Sequence, residues 1–256
     1  MIRALFVTLL VCIYILVLGL PVLIHALLTG KTEALYNVGR RGCRFATWLA
    51  GMNLEAESLE KIPSGQAVVF MANHQSNSDP PALLAILPRV AALAKKEFFR
   101  LPILGRGMRA VGFIPVDRKN RERAIEAVQE AVESLKGGRS FVVFPEGTRS
   151  RDGRLQPFKK GVFVMAIKAE APIMPVSISG GSKIMPKGTF AVRPGPVRIT
   201  FHDPIPTKGF ALDERDVLMA AVRRAIVAGL TKEEWPLELS SGPGKPQPSL
   251  RKTSPA

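Results

Sequence analysis

Val68-Val69-Phe70-Met71-Ala72-Asn73-His74-Gln75-Ser76-Asn77-Ser78-Asp79-Pro80-Pro81 decides how this chain folds. Ala67 to Met71 is a short apolar run of β-prone residues and reads as a buried strand. Gln75 to Ser78 has turn-forming composition. Pro80 and Pro81, followed by Ala82 to Leu87, read as a short helix with Asp79 as its N-cap. A polar loop at the C-terminal end of a buried strand is where open α/β sheets put their chemistry. Neither a helix nor a strand would let His74 meet Asp79, five positions on. Only a turn of the chain brings them together. Joined, the carboxylate fixes the imidazole tautomer and prepares a general base. Kept apart, Asp79 merely caps the helix and His74 is an ordinary loop histidine. This stretch by itself leaves both readings open.

Towards the C-terminus the pattern alternates. Val90 to Ala94, Gly112 to Val116, Ser140 to Phe144, Ile173 to Ser179 and Val197 to Phe201 read as strands. Pro115 suggests an edge strand or a strand end. Asn120 to Lys136 is the clearest helix: Ile125, Val128, Val132 and Leu135 share one face, and Gly137-Gly138 ends it. Val162 to Ala169 and Glu214 to Leu230 are two more. Strand and helix in alternation predict an α/β fold, a mostly parallel sheet flanked by helices.

Towards the N-terminus, Ala4 to Leu28 contains no Asp, Glu, Lys or Arg. As one helix it would be about 37 Å long, more than the roughly 30 Å of a hydrocarbon core. It is too long for the apolar region of a signal peptide, and no small-residue cleavage site closes it. It reads as an N-terminal apolar membrane-anchoring helical segment. It either spans the bilayer or breaks at Gly19-Leu20-Pro21 and dips into one leaflet. Thr32 to Met52 mixes Arg40, Arg41 and Arg44 with Leu35, Val38, Phe45, Trp48 and Leu49. That pattern fits an amphipathic helix at the interface, its basic side to headgroups, or a helix packed on the soluble part. Basic residues follow the apolar run and only Arg3 and the amino terminus precede it, which puts the C-terminal bulk on the cytoplasmic side; the expected location is a membrane, a bacterial inner membrane. The expected organisation is a membrane anchor at 1–30, an interfacial helix at 31–54, an α/β domain at 55–232 and a disordered tail at 233–256, rich in Pro, Ser and Gly.

The 36 Lys and Arg against 21 Asp and Glu leave a formal charge of +15. Such an excess suits nucleic acid, an anionic membrane or a phosphorylated substrate. Two Tyr and two Trp, with no nucleic-acid module, argue against the first. Cys12 and Cys43 form no disulfide framework, and no Cys/His cluster has zinc-ligand spacing, so no metal is expected.

A second constellation, Phe144-Pro145-Glu146-Gly147-Thr148-Arg149-Ser150, directly follows a strand. Glu146-Gly147 makes a tight turn with Gly free to take positive φ. Its exposed N–H groups, with Thr148 and Arg149, suit a phosphate or a developing oxyanion. Arg118 again ends a strand, and Lys159 and Lys160 precede a helix. Each basic residue alone reads as a solvated charge. At strand C-termini of a parallel sheet they would converge on one mouth.

Asn73-His74-x-Ser76-x-x-Asp79 with Phe144-Pro145-Glu146-Gly147-Thr148-Arg149 resembles the glycerolipid acyltransferases, in particular the 1-acylglycerol-3-phosphate (lysophosphatidic acid) acyltransferases. Lys95-x-Glu97-Phe98 and Gly112 to Arg118 are similar to the family's second block, and Pro172 to Val176 to its fourth. The similarity covers roughly residues 65–180 and extends loosely to 230. Phe98 stands where Leu is usual and Met174 where Val or Ile is usual, which leaves chain-length preference open. The resemblance implies that His74 is the general base and Asp79 its orienting partner. It implies that Glu146 and Gly147 shape the acceptor pocket, with Thr148 beside them, and that Arg118 and Arg149 grip the phosphate. Acyl-CoA or acyl-carrier protein would be the donor, lysophosphatidic acid the acceptor and anionic membrane lipids the surroundings. No cofactor and no covalent acyl-enzyme are implied. Rival acceptors of the same superfamily are glycerol 3-phosphate, a lysophospholipid and an acylated amine lipid. A non-catalytic basic membrane- or nucleic-acid-binding protein is the rival from another class. Oligomeric state is not legible.

Overall fold

The computed structural model describes residues 2–240. Ile2 to Thr29 is helical throughout: α1 (Ile2–Tyr14), a π-helical turn (Ile15–Gly19) and α2 (Leu20–Thr29). Gly19-Leu20-Pro21 therefore does not break the run. The π turn, in which Leu20 N–H reaches Ile15 O, takes up the lost Pro21 N–H and the ring's clash. This 28-residue helix is long and apolar enough to cross a membrane, with a mean hydropathy of 2.9 over its most apolar 18 residues.

Gly30, in the left-handed region at φ 71°, ends α2 and turns the chain into α3 (Glu33–Leu49). The helix α3 runs back along the first helix. Tyr14 Oη donates to Val38 O at 2.8 Å, and Arg3 donates to Leu49 O at 3.3 Å. Gly42 lets the Tyr14 ring in, since a Cβ there would sit 2.8 Å from it. On its other side α3 is fastened to α4 (Asp79–Ile86) and to the chain behind it. Tyr36 Oη donates to Pro88 O at 3.1 Å and accepts from Val90 N at 2.9 Å. Arg40 donates to Ile86 O at 3.1 Å and Arg44 to Ala85 O at 2.9 Å. Two arginines expected to face headgroups thus satisfy carbonyls that end α4 and have no intrahelical partner.

Seven strands form one sheet: β1 (Met52–Glu57), β2 (Val69–Ala72), β3 (Val90–Lys95), β4 (Ile114–Val116), β5 (Ser140–Val143), β6 (Ile173–Ser179) and β7 (Gly195–Phe201). Their order is β1-β7-β6-β2-β5-β3-β4. Every pair is parallel except β6 with β7. The remaining helices are α5 (Pro102–Ala110), α6 (Arg121–Lys136), α7 (Gly161–Ala169), α8 (Gly181–Ile184), α9 (Arg215–Ala228) and α10 (Leu237–Ser240). Val69, Met71, Phe141 and Val143 pack on one face against Val132, Phe163 and Val222 of α6, α7 and α9. Phe70, Val142, Met174 and Ile199 pack on the other against Ala82 and Leu83 of α4. Burial on both faces is why the central strands read as unbroken apolar runs. The C-terminal ends of β2 to β6 all point to one mouth. Pro115 lies in the edge strand β4, where a missing N–H costs no ladder bond.

Three expectations are corrected. Met52 to Leu54 is not the end of the interfacial helix. Met52, Leu54 and Ala56 alternate with Asn53, Glu55 and Glu57, and this is β1, paired with β7. Asp79 is not the cap of α4 but its first residue, after Ser78, and its carboxylate reaches back into the preceding loop. The disordered tail does not start at 233: Glu234 is 6% exposed. Its carboxylate accepts from Ser179 Oγ at 2.6 Å, Gly180 N at 2.8 Å and Thr231 N at 3.1 Å. The rest of that tail, from 241, lies outside the described residues.

Candidate active site

Each residue of the loop after β2 is held by a different part of the chain. The Asn73 amide donates to Ile178 O at 2.8 Å and accepts from Ile178 N at 2.7 Å, which locks the end of β2 onto β6. His74 N donates to Glu146 Oε1 at 2.6 Å, and His74 O accepts from Ser150 N at 2.8 Å. Gln75 Nε2 donates to Gly153 O at 3.0 Å. Ser76 Oγ donates to Met185 O at 3.0 Å and meets Ser78 Oγ at 2.8 Å.

The loop turns so that His74 Nδ1 lies 2.9 Å from Asp79 Oδ2. That oxygen also accepts from Gln75 N and Ser76 N, both at 2.7 Å. Asp79 is fully buried, whereas the His74 side chain keeps 13% of its surface open. The ring stacks on Phe144 at 4.1 Å between centroids. Because the carboxylate can only accept, the Nδ1 atom carries the hydrogen, and Nε2 is left with a free lone pair. Behind Asp79 there is no slack: a Cβ on Gly181 would come within 2.6 Å of Oδ1.

Glu146 is 2% exposed, and its oxygens accept from His74 N at 2.6 Å and Gln156 N at 3.0 Å. Burial pushes its carboxyl up to about 8, against the pull of those two N–H groups. Its side chain fixes the histidine loop from behind, through the two backbone N–H groups it accepts from. Gly147 takes φ 71°, as its turn requires, with Gly147 N donating to Phe144 O at 3.0 Å.

Arg118 donates to the Gly147 carbonyl. The turn that carries it is fixed by Asp117, which pairs with Lys96 at 2.5 Å and accepts from Lys119 N at 3.0 Å. Lys159 lies against Gly147, its Cγ 3.3 Å from where a Cβ would be. Lys160 turns away to Asp216 at 3.2 Å. Lys187 donates to Arg149 O at 2.5 Å and to Thr148 Oγ1 at 3.3 Å. The Arg149 guanidinium hydrogen-bonds no described residue. The fold therefore brings His74, Asp79, Arg118, Glu146, Gly147, Thr148 and Arg149 to one mouth. Lys187 and Gly181 escape the sequence reading, as does the stacking of Phe144 on His74. The signal for Gly181 was its place just after the C-terminal end of β6; Lys187, beyond α8, had none.

A histidine–aspartate dyad and a cationic turn at the C-terminal ends of parallel strands make a site that can take a proton beside an anionic substrate. The family model described as Acyltransferase matches residues 53–179. The 1-acyl-sn-glycerol-3-phosphate acyltransferase of Limnanthes douglasii is 33% identical over 192 residues, 74% of this chain and 68% of that protein. A chloroplastic 1-acyl-sn-glycerol-3-phosphate acyltransferase of Brassica napus is 37% identical over 153 residues, 59% of this chain. The chain spans only 44% of that relative's length. The crystal structure of the 1-acyl-sn-glycerophosphate (LPA) acyltransferase PlsC from Thermotoga maritima superposes with a TM-score of 0.79 at 31% identity, covering 89% of this chain and 93% of that one. This chain belongs to the 1-acyl-sn-glycerol-3-phosphate acyltransferase family.

Proposed function

We propose that the chain moves a fatty acyl group from acyl-CoA or acyl-carrier protein to the 2-hydroxyl of 1-acylglycerol 3-phosphate, giving phosphatidic acid and the free thiol carrier. The observation that carries this reading is the 2.9 Å contact between His74 Nδ1 and Asp79 Oδ2 beside the Arg118 and Arg149 turn. His74 Nε2 takes the proton of the acceptor hydroxyl as its oxygen attacks the thioester carbonyl. Asp79 balances the charge that the ring gains. The tetrahedral intermediate collapses, the carbon–sulfur bond breaks, and the imidazolium returns its proton to the departing thiolate. Arg118 and Arg149 hold the phosphate, which a guanidinium can bind by two parallel bonds. Ser76 and Ser78 bond to each other and Ser76 to Met185 O, away from His74, so neither loop serine is activated for a covalent acyl-enzyme. No cofactor enters this scheme.

The reaction takes place at a lipid surface. Leu5, Leu9, Ile13 and Leu16 of the first helix are each 45–66% exposed. The α3 helix, with Arg40, Arg41 and Arg44, lies along the opposite side and is bonded to α4. A perpendicular crossing would drag these arginines into hydrocarbon at a cost of about 2.5–3.5 kcal/mol each on insertion scales. The helix therefore lies in one leaflet, and the basic excess suits an anionic cytoplasmic face.

The deciding experiment is acyl transfer by the purified protein over a panel of lysophosphatidate, glycerol 3-phosphate, lysophospholipids and acylated amine lipids. Lysophosphatidate is expected to give the highest kcat/KM. Equal rates across the panel would remove the acceptor assignment.

A further inference from the structure

We propose that Lys187 is a third acceptor-binding cation, which makes the site select a phosphomonoester over a phosphodiester headgroup. The inference deepens the acyl-transfer reading above and rests on it. Lys187 belongs to none of the sequence blocks of the site. It sits on the loop after α8, and that loop is bonded to the histidine loop through Ser76 Oγ and Met185 O at 3.0 Å. Its ammonium reaches over the Glu146–Ser150 turn and is held there by two neutral acceptors, Arg149 O and Thr148 Oγ1.

Three cations thus surround Gly147 to Arg149. Arg118 is anchored on a carbonyl, Lys187 on a carbonyl and a hydroxyl, and Arg149 on no described residue. None of the three forms an ion pair of 4.0 Å or less with a described carboxylate. The acid that acts on Lys187 is Glu146, whose oxygens already serve two backbone N–H groups and whose buried carboxyl is pushed up to about 8. Burial, then the charges of Arg151 and Arg149, hold Lys187 below the usual lysine range. Lys187 thus sits against the repulsion of its cationic neighbours, and Glu97 acts on Arg118 without pairing with it. A phosphomonoester carries about −1.5 to −2 charge near neutrality. A diester has one unesterified oxygen fewer and a single negative charge, so it leaves one more of the three cations unmatched than the monoester does. Like-charged neighbours that only a dianion relieves are a device for discrimination as well as affinity.

The test uses the purified full chain with lysophosphatidate and lysophosphatidylglycerol, each presented in mixed micelles. Equilibrium binding is measured for wild type, K187M and K187R without donor, and steady-state KM with donor. K187M is expected to weaken lysophosphatidate binding about ten-fold or more and to raise its KM in step. Lysophosphatidylglycerol binding and donor KM should stay within about two-fold, and K187R should restore most of the loss. Unchanged lysophosphatidate binding in K187M overturns the proposal. Equal losses for both lipids also overturn it, since they assign Lys187 to loop anchoring alone. Wild-type protein that binds lysophosphatidate but does not acylate it would instead strike the parent reading and leave the binding comparison to judge Lys187.

Discussion

Asp79 satisfies three donors with one oxygen, the ring Nδ1 and two backbone N–H groups, and it does so fully buried. Asp79→Asn keeps the shape but removes the charge and offers an N–H₂ group where an acceptor is needed. The variant should lose roughly two to four powers of ten in kcat. Its loss of stability should match a buried hydrogen bond, about 1–3 kcal/mol, read by denaturant unfolding. His74→Ala should abolish turnover with its unfolding midpoint near that of wild type; near-normal rates in that variant would refute the mechanism. Glu146 gives a pH test. The folded protein keeps its proton up to about pH 8, while the unfolded chain releases it near the ordinary value of 4.5. Its contribution is therefore complete below about pH 4.5 and is lost as pH rises towards 8. Unfolding free energies at pH 5, 6.5 and 8 should fall more steeply for wild type than for Glu146→Gln; parallel curves would contradict the raised carboxyl. At this scale the dyad was legible as one of two readings of a five-residue spacing with turn composition, and the second motif block tipped the choice. The task of Glu146 was not, because it depends on which N–H groups, 72 and 10 positions away, pass its carboxylate.

Elements carry the site by their ends. The mouth exists because β2, β3, β4, β5 and β6 run the same way. The apolar runs and the polar blocks after them were enough to read that from sequence. Besides the short α8 and α10, two elements escaped. The strand β1 alternates faithfully, but it abuts a basic amphipathic stretch and carries Glu55 and Glu57, so it reads as a helix end. The helix α5 holds Gly105 and Gly107, which lower helix propensity. Gly105 is there because a Cβ would sit 2.4 Å from Phe99 O, a contact no local pattern announces. The link from α3 to α4 was readable only as an alternative, since arginine on an amphipathic helix serves headgroups or carbonyls equally well. Arg40→Ala with Arg44→Ala leaves Ala85 O and Ile86 O without their side-chain donors. The pair should cost about 1–3 kcal/mol. Hydrogen exchange should quicken at the end of α4 and in α3; unchanged protection there would show that the two bonds do not fasten the helices.

On the scale of the whole molecule, the question is how the α/β sheet would meet the proposed acceptor, a lipid of the bilayer. The start of the first helix lies at the mouth: Arg3 bonds Leu49 O, and its guanidinium comes within 2.4 Å of where a Gly51 Cβ would stand, just before β1. From there the exposed row Leu5, Leu9, Ile13 and Leu16 leads away along the outside of the fold. A helix lying in the interface would set the mouth level with the glycerol backbones, so that an acceptor need not leave the leaflet to reach His74. Leu9 and Leu16 are 58% and 53% exposed, so replacing them disturbs membrane contact more than the core. Burying a leucine contributes about 1.5–3 kcal/mol, and 1.4 kcal/mol is about a factor of ten. Leu9→Glu with Leu16→Glu should therefore weaken binding to anionic vesicles by two powers of ten or so. Turnover of vesicle-borne lysophosphatidate should fall with it, while a short-chain acceptor dissolved in water should be acylated at close to the wild-type rate. Equal losses on both acceptors would mean that the helix supports the fold of the site and not its meeting with lipid.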